Sequence, residues 1–352
     1  MKVGLTLSPG GLLLPYHIGV LSALQYHNVI DQSTLMAGSS AGAIACASFG
    51  CQIPPHYILE ATIQVSDRCH SLGGARGRLL PLLNDQLHEL IQQEQWEQFQ
   101  QRQAPIGIAY KQIFPQGRNI LQQTFASRHD LFQAVSYSCM FPFFASQWPC
   151  MIDSSSRHKN INNDINNHPD KNFMSSQFSS FSSSSSSSKR RIGMSLPRLL
   201  VDGYFTVPRD RFGCPYVLDL LMENEDNYDD DNDDDKTKND DSTLEEQTTG
   251  YQDSSRLSAI QEVAISVFPR QAIGLTGIDP QNVISPHLDE VEFSTLIRLA
   301  TQASSREELT YIYELGWKDA ERWWNDQQKL PIKKDAKHPG TSMMSDPSTK
   351  IG

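Results

Sequence analysis

The sequence predicts an α/β fold with a mostly parallel central sheet. Three observations carry that reading: strand-like and helix-like segments alternate from the first residues onward, two glycine-bearing turns each join an apolar strand to a helix, and further apolar strands recur far downstream. Val3 to Leu7 is the first predicted strand. Tyr16 to His27 follows as a helix, with Ile18, Leu21 and Leu24 on one face. Thr34 to Ala37 is again a strand and Ala41 to Phe49 a helix of small residues. Arg78 to Gln101 is helical by pattern. Ile106 to Tyr110, Leu199 to Val201 and Ile260 to Phe268 are predicted strands. Phe293 to Trp324 closes the domain as one or two helices carrying Leu296, Leu299, Leu309, Ile312, Leu315 and the Trp323-Trp324 pair.

Three stretches break this alternation, because none can bury enough apolar surface to offset the entropy of ordering it. Residues 153–191 are rich in Asn and Asp and then run through a serine tract, Ser182 to Ser188; residues 223–255 are acidic; residues 331–352 form a polar tail. All three are predicted to be disordered. The two internal ones flank a short structured-looking block, so they read as insertions into one domain, 1–330, rather than as linkers between domains.

Charge and composition exclude several classes. The net charge of −11 over 352 residues is local: residues 223–246 hold thirteen carboxylates against Lys236 and Lys238, which leaves the remainder near neutral. No surplus of Lys and Arg accumulates, so nucleic acid is excluded as the main partner. The acidic run lacks EF-hand spacing and predicts no calcium site. Six cysteines are scattered without a C-x-x-C pair or a zinc-finger histidine spacing, which predicts free buried thiols and no metal. The N-terminus lacks the pattern of a signal peptide, and no run of ~18 apolar residues predicts a transmembrane helix. The predicted location is cytoplasmic with peripheral association to a membrane or lipid droplet, or a plastid if a targeting segment precedes this sequence.

Chemistry concentrates at three places. Gly38-Ser39-Ser40-Ala41-Gly42 is a G-x-S-x-G sequence between a strand and a helix, where glycines two residues either side permit a tight turn. Only Ser40 has Gly at both positions, so Ser40 is the candidate nucleophile and Gly38, Ser39, Ala41 and Gly42 support the turn. The hydroxyl then stands at a helix N-terminus, which favours negative charge. The loop Ser8-Pro9-Gly10-Gly11-Leu12 follows the first strand, and its amides could hold either an oxyanion or a phosphate. Neither a Walker A sequence nor G-x-G-x-x-G is present, which disfavours a nucleotide. Asp202-Gly203 ends an apolar strand, and that aspartate is either a turn residue or, if desolvated, a general base.

These elements, in this order, resemble the patatin-like phospholipases, and the Gly-Gly-Leu-Leu-Leu-Pro-Tyr-His form resembles the plant and algal branch. Tyr16 to Leu21 and Met140-Phe141-Pro142-Phe143-Phe144 are also similar to the family. The resemblance implies a three-layer α/β/α sandwich, Ser40 as nucleophile, Asp202 as base of a Ser-Asp dyad without histidine, and Gly10, Gly11 and Leu12 as the oxyanion hole. It implies no cofactor, and a lipid substrate met at a membrane or droplet surface: phospholipid, galactolipid or acylglycerol. The sequence departs from the family pattern at Pro9, at Leu14 and at Tyr204 after Gly203.

Two rivals remain open. An ordinary α/β-hydrolase needs a histidine after the acid in chain order, which leaves His287 and His338. A catalytically silent lipid-binding or scaffold protein would use Phe141, Phe143, Phe144 and Trp148 as an apolar contact. Those aromatics are expected in the core first, with a cleft wall as the other reading.

Overall fold

Alternation along β1 (Lys2–Leu7) sets up two faces of a sheet. Val3, Leu5 and Leu7 enter a large core on one side, while Gly4 and Thr6 face the other side, against Val217 and the Pro215 carbonyl. The computed structural model describes residues 2–153, 196–222 and 260–329. The insertions and tail expected at 153–191, 223–255 and 331–352 lie outside the described residues, apart from Asp153, which ends a strand.

β2 (Leu35–Ser39) and β7 (Ile260–Ile265) flank β1, both parallel to it. β3 (Ile106–Phe114) continues parallel beyond β2, and β8 (Val283–Ile284) beyond β7. The other three strands are antiparallel: β4 (Arg118–Gln122) and β6 (Arg198–Val201) pair with β3, and β5 (Met151–Asp153) pairs with β6. The sheet is therefore mixed, a parallel five-stranded body extended by antiparallel strands on its β3 side.

The helices gather on the face that receives Leu5 and Leu7. α1 (Leu14–Tyr26) and α2 (Ala41–Gly50) lie against the sheet, and every residue of α2 is buried. Outside them run α3 (Pro55–Ser71), α4 (Leu79–Leu90), α5 (Gln93–Gln100) and α6 (Arg128–Ser138). α7 (Phe293–Thr301) and α8 (Arg306–Lys329) close the fold. α8 lies directly on α1: a Cβ on Gly19 would meet the Tyr313 carbonyl oxygen at 2.0 Å, and one on Gly316 the Tyr16 carbonyl oxygen at 2.2 Å. The opposite sheet face is covered by the short turn Val217–Leu221 against Leu35 and Ala37, and by Leu275 and Ile278 against Ala264. The result is a three-layer α/β/α sandwich whose second outer layer is thin among the described residues.

The predicted elements are present, one of them divided, and others not expected join them. The single helix expected over 78–101 is two, because Gln92 leaves the helical conformation and its N–H donates to Gln95 Oε1 (3.1 Å), starting α5 afresh. The closing segment is two helices, split at residues 302–305. α3, α6 and the strands β4, β5 and β8 were not predicted. All six cysteines are free, five of them buried and Cys150 half-buried.

Candidate active site

Ser40 occupies the joint between β2 and α2 with φ 54° and ψ −119°, a backbone region that costs a residue with a side chain ~1–3 kcal/mol. The turn closes because its flanks lack side chains. A Cβ on Gly38 would lie 2.4 Å from the Gly42 carbonyl carbon, and one on Gly42 would lie 2.5 Å from the Leu7 carbonyl oxygen. The strained backbone is held from a distance: the Ser40 N–H donates to Ser138 Oγ at 2.8 Å, from the last residue of α6. Sequence reading missed Ser138, whose only signal was its place two residues before the Met140 to Phe144 phrase.

Asp202 comes to the same place from β6. Its N–H donates to the Met140 carbonyl (2.9 Å), and its Oδ1 accepts from the Tyr204 N–H (2.8 Å). The side chain is completely buried, and among the described residues Oδ2 has no hydrogen-bond partner. Burial pushes the carboxyl up to about 7, although the Tyr204 N–H and the nearby Ser40 hydroxyl both favour its charged form. Gly203 lets the chain turn beneath: a Cβ there would meet the Ala109 carbonyl oxygen at 2.3 Å and Ser39 Oγ at 2.8 Å. Ser39 is fully buried against that turn, so its place is in the support of both motifs.

Ser40 and Asp202 line one cavity of about 430 Å³, within the ~300–1,000 Å³ range of ligand pockets. Gly10, Gly11 and Leu12 line it too. Gly11 has φ +56°, and a Cβ there would lie 2.3 Å from the Ala300 carbonyl oxygen. The amides at the start of the short turn Gly11–Leu13 lack acceptors within that turn, and the turn leads straight into α1. The N-termini of α1 and α2 therefore both open on the cavity, and their dipoles favour negative charge there. The three departures from the family pattern, Pro9, Leu14 and Tyr204, are cavity residues as well. The rest of the wall is mostly apolar, chiefly Ile58 and Val65 from α3 and Leu79, Leu83, Leu87 and Leu90 from α4, with Thr62, Gln86 and Thr301 as its polar members.

Among the described residues no histidine lines this cavity. His287 belongs to a separate pocket beside Asp319 and Arg322, and His338 lies outside the described residues. His17 is fully buried, with Nε2 2.8 Å from the Ser8 carbonyl, and burial lowers its pKa to about 4. It is a neutral donor that anchors the start of the Gly10-Gly11 loop. Cys139, adjoining Ser40 and Asp202, is a protonated thiol: burial and then the Asp202 charge push it well above the usual thiol range. The aromatics expected in the core are not there. Phe141, Phe143 and Trp148 are exposed and Phe144 is half-buried, with Phe141 and Phe144 on the cavity wall.

The fold and this cavity define an α/β protein that brings one serine and one buried carboxylate to the floor of an apolar pocket. The family model for patatin-like phospholipases matches residues 5–210, and the chain belongs to that family. At the general level it is a lipid acyl hydrolase. No curated protein sequence matches the chain. Among the described residues no helix is long and apolar enough to cross a membrane.

Proposed function

We propose that the chain hydrolyses fatty-acyl esters of membrane or storage lipids through a Ser40-Asp202 dyad and an acyl-enzyme. One observation carries the reading. The two side chains share an apolar cavity that no histidine lines among the described residues, and the carboxylate there is desolvated enough to have the proton affinity of a base at neutral pH.

Asp202 accepts the Ser40 proton as Ser40 Oγ attacks the ester carbonyl. The amides of Gly10, Gly11 and Leu12 hold the tetrahedral oxyanion, each such donor being worth ~3 kcal/mol in comparable sites. The C–O bond to the glycerol oxygen breaks, and Asp202 returns the proton to that leaving oxygen. Water then attacks the acyl-serine with Asp202 again as base. The fatty acid leaves and Ser40 regains its proton. Every proton that moves has Asp202 as its partner, and the cycle draws on no cofactor. The Leu- and Ile-lined wall from α3 and α4 receives the acyl chain, which favours long-chain phospholipid, galactolipid or acylglycerol esters.

The test is fatty-acid release from a soluble short-chain ester and from lipid vesicles by wild type, Ser40→Ala, Asp202→Asn and His287→Ala. Loss of at least ~10³-fold in the first two with full activity in the third is the expected result. Loss of activity in His287→Ala would sink the dyad in favour of a triad.

A further inference from the structure

The mouth of the cavity carries a feature that the hydrolytic cycle does not use. Phe141, on the cavity wall, is 41% exposed; Phe205, stacked on it with ring centroids 5.7 Å apart, is 36% exposed; Phe143, in the same turn as Phe141, is 56% exposed. Phe141 and Phe205 are in ring contact and Phe143 stands two residues from Phe141, and such a cluster of exposed rings marks an interaction surface more than isolated ones do. Phe143 adds strain to exposure. Its φ is +58°, a conformation that bulky residues rarely adopt, and its N–H donates to the Trp148 carbonyl (3.2 Å) to close the loop that presents it. Strain and exposure both destabilise the free protein, so the compensation lies in what the ring meets.

Two cations bracket the rings. Arg76 Nε donates to the Phe143 carbonyl (3.4 Å), and Lys111 Nζ donates to the Phe205 carbonyl (3.2 Å). Among the described residues neither forms an ion pair with a carboxylate. Their charge is therefore available to an anionic surface beside the rings.

We infer that this face docks on a phospholipid bilayer bearing anionic headgroups. Phe143 and Phe205 enter the boundary between headgroups and acyl chains, Arg76 and Lys111 meet the headgroup charge, and the cavity mouth at Phe141 opens where an acyl ester is delivered. Aromatic rings rimmed by cations suit that boundary, because the rings gain by leaving water while the charges stay with the headgroups. The inference rests on the proposed function for its purpose, but its test does not depend on turnover.

The experiment is flotation of the full chain carrying Ser40→Ala with vesicles of phosphatidylcholine, alone or mixed with phosphatidylserine. Tighter binding to the mixed vesicles is expected. Adding Phe143→Asn, a residue that tolerates positive φ and so spares the fold, should weaken binding about tenfold or more. Arg76→Glu combined with Lys111→Glu should weaken it by a similar factor at low salt and by less at high salt. With Ser40 intact, these variants should cleave a soluble short-chain ester like wild type. Absence of vesicle binding, equal binding to neutral and mixed vesicles, or unchanged binding by Phe143→Asn overturns the inference. Phe143-dependent vesicle binding in a chain that cleaves no ester would instead remove the catalytic reading and leave the docking face standing.

Discussion

Replacing Asp202 by Asn should abolish turnover and at the same time stabilise the fold, by an amount that its surroundings set. Burial raises the carboxyl from 3.8 to about 7 in the folded protein. Because the folded value is the higher one, the unfolded chain releases this proton first as pH rises, so stability present below about pH 4 is lost progressively up to about pH 7. Three pKa units at ~1.4 kcal/mol each give a loss of ~4 kcal/mol above pH 7, of which ~2.5 kcal/mol falls between pH 5 and pH 8. Asn is nearly isosteric, keeps an acceptor for the Tyr204 N–H, and carries no charge. Urea unfolding of both proteins across pH 5 to 8 is the assay. Other shifted groups, such as Asp319 at about 6, occur in both chains and cancel in the difference. The Asn variant should gain on wild type steadily as pH rises. Parallel curves, or a wild type that gains above pH 7, would refute a desolvated Asp202 and with it the argument for its basicity.

The same carboxyl sets the pH dependence of activity: kcat/KM should rise about tenfold per pH unit below pH 7 and level off above it, and a profile flat from pH 5 to 8 would contradict Asp202 as base. Ser138→Ala leaves the Ser40 N–H without its acceptor, at a stability cost of ~1–3 kcal/mol. It should lower kcat more than it raises KM, while Ser138→Thr, which keeps the hydroxyl, restores most of the rate. Gly42→Ala drives a Cβ to 2.5 Å from the Leu7 carbonyl oxygen, a contact between two backbones with no flexible side chain to yield. That variant should fail to fold, or lose several degrees in Tm, as measured by calorimetry.

The site was more legible in the sequence than the layer that encloses it, for steric reasons. A strand-to-helix turn around a strained serine excludes side chains at fixed positions, so Gly38 and Gly42 announce it from spacing alone. Asp202-Gly203 was visible in the same way, because the chain must pass the Ala109 carbonyl oxygen closely. The helices that build the cavity wall follow a different rule. α3 buries Ile58, Ala61, Thr62, Ile63, Val65, Ser66 and Cys69, so small and polar residues interrupt the aliphatic ones along its buried face and dilute the hydrophobic contrast that announces a helix. α6 did carry a start signal, since Ser127 Oγ accepts from the Asp130 N–H while the Asp130 carboxylate accepts from the Ser127 N–H. Its Asp stands where a capping box more often has Glu or Gln. β4 and β5 are short, and their register comes from pairing with β3 and β6 rather than from alternation of their own.

Desolvation explains why, in the proposed cycle, the base is a carboxylate rather than an imidazole. Withdrawing water disfavours whichever form is charged, so it strengthens an acid's conjugate base and weakens a neutral one. Both effects are present in this fold. Burial raises Asp202 to about 7, making its carboxylate a far better proton acceptor than one in water, and lowers His17 to about 4, making its imidazole a poorer one. A cavity that excludes water to receive an acyl chain would therefore disable a histidine base as it formed. In that cycle the burial that keeps water from the cavity floor also raises the proton affinity of the aspartate, so exclusion of water and base strength follow from one structural cause.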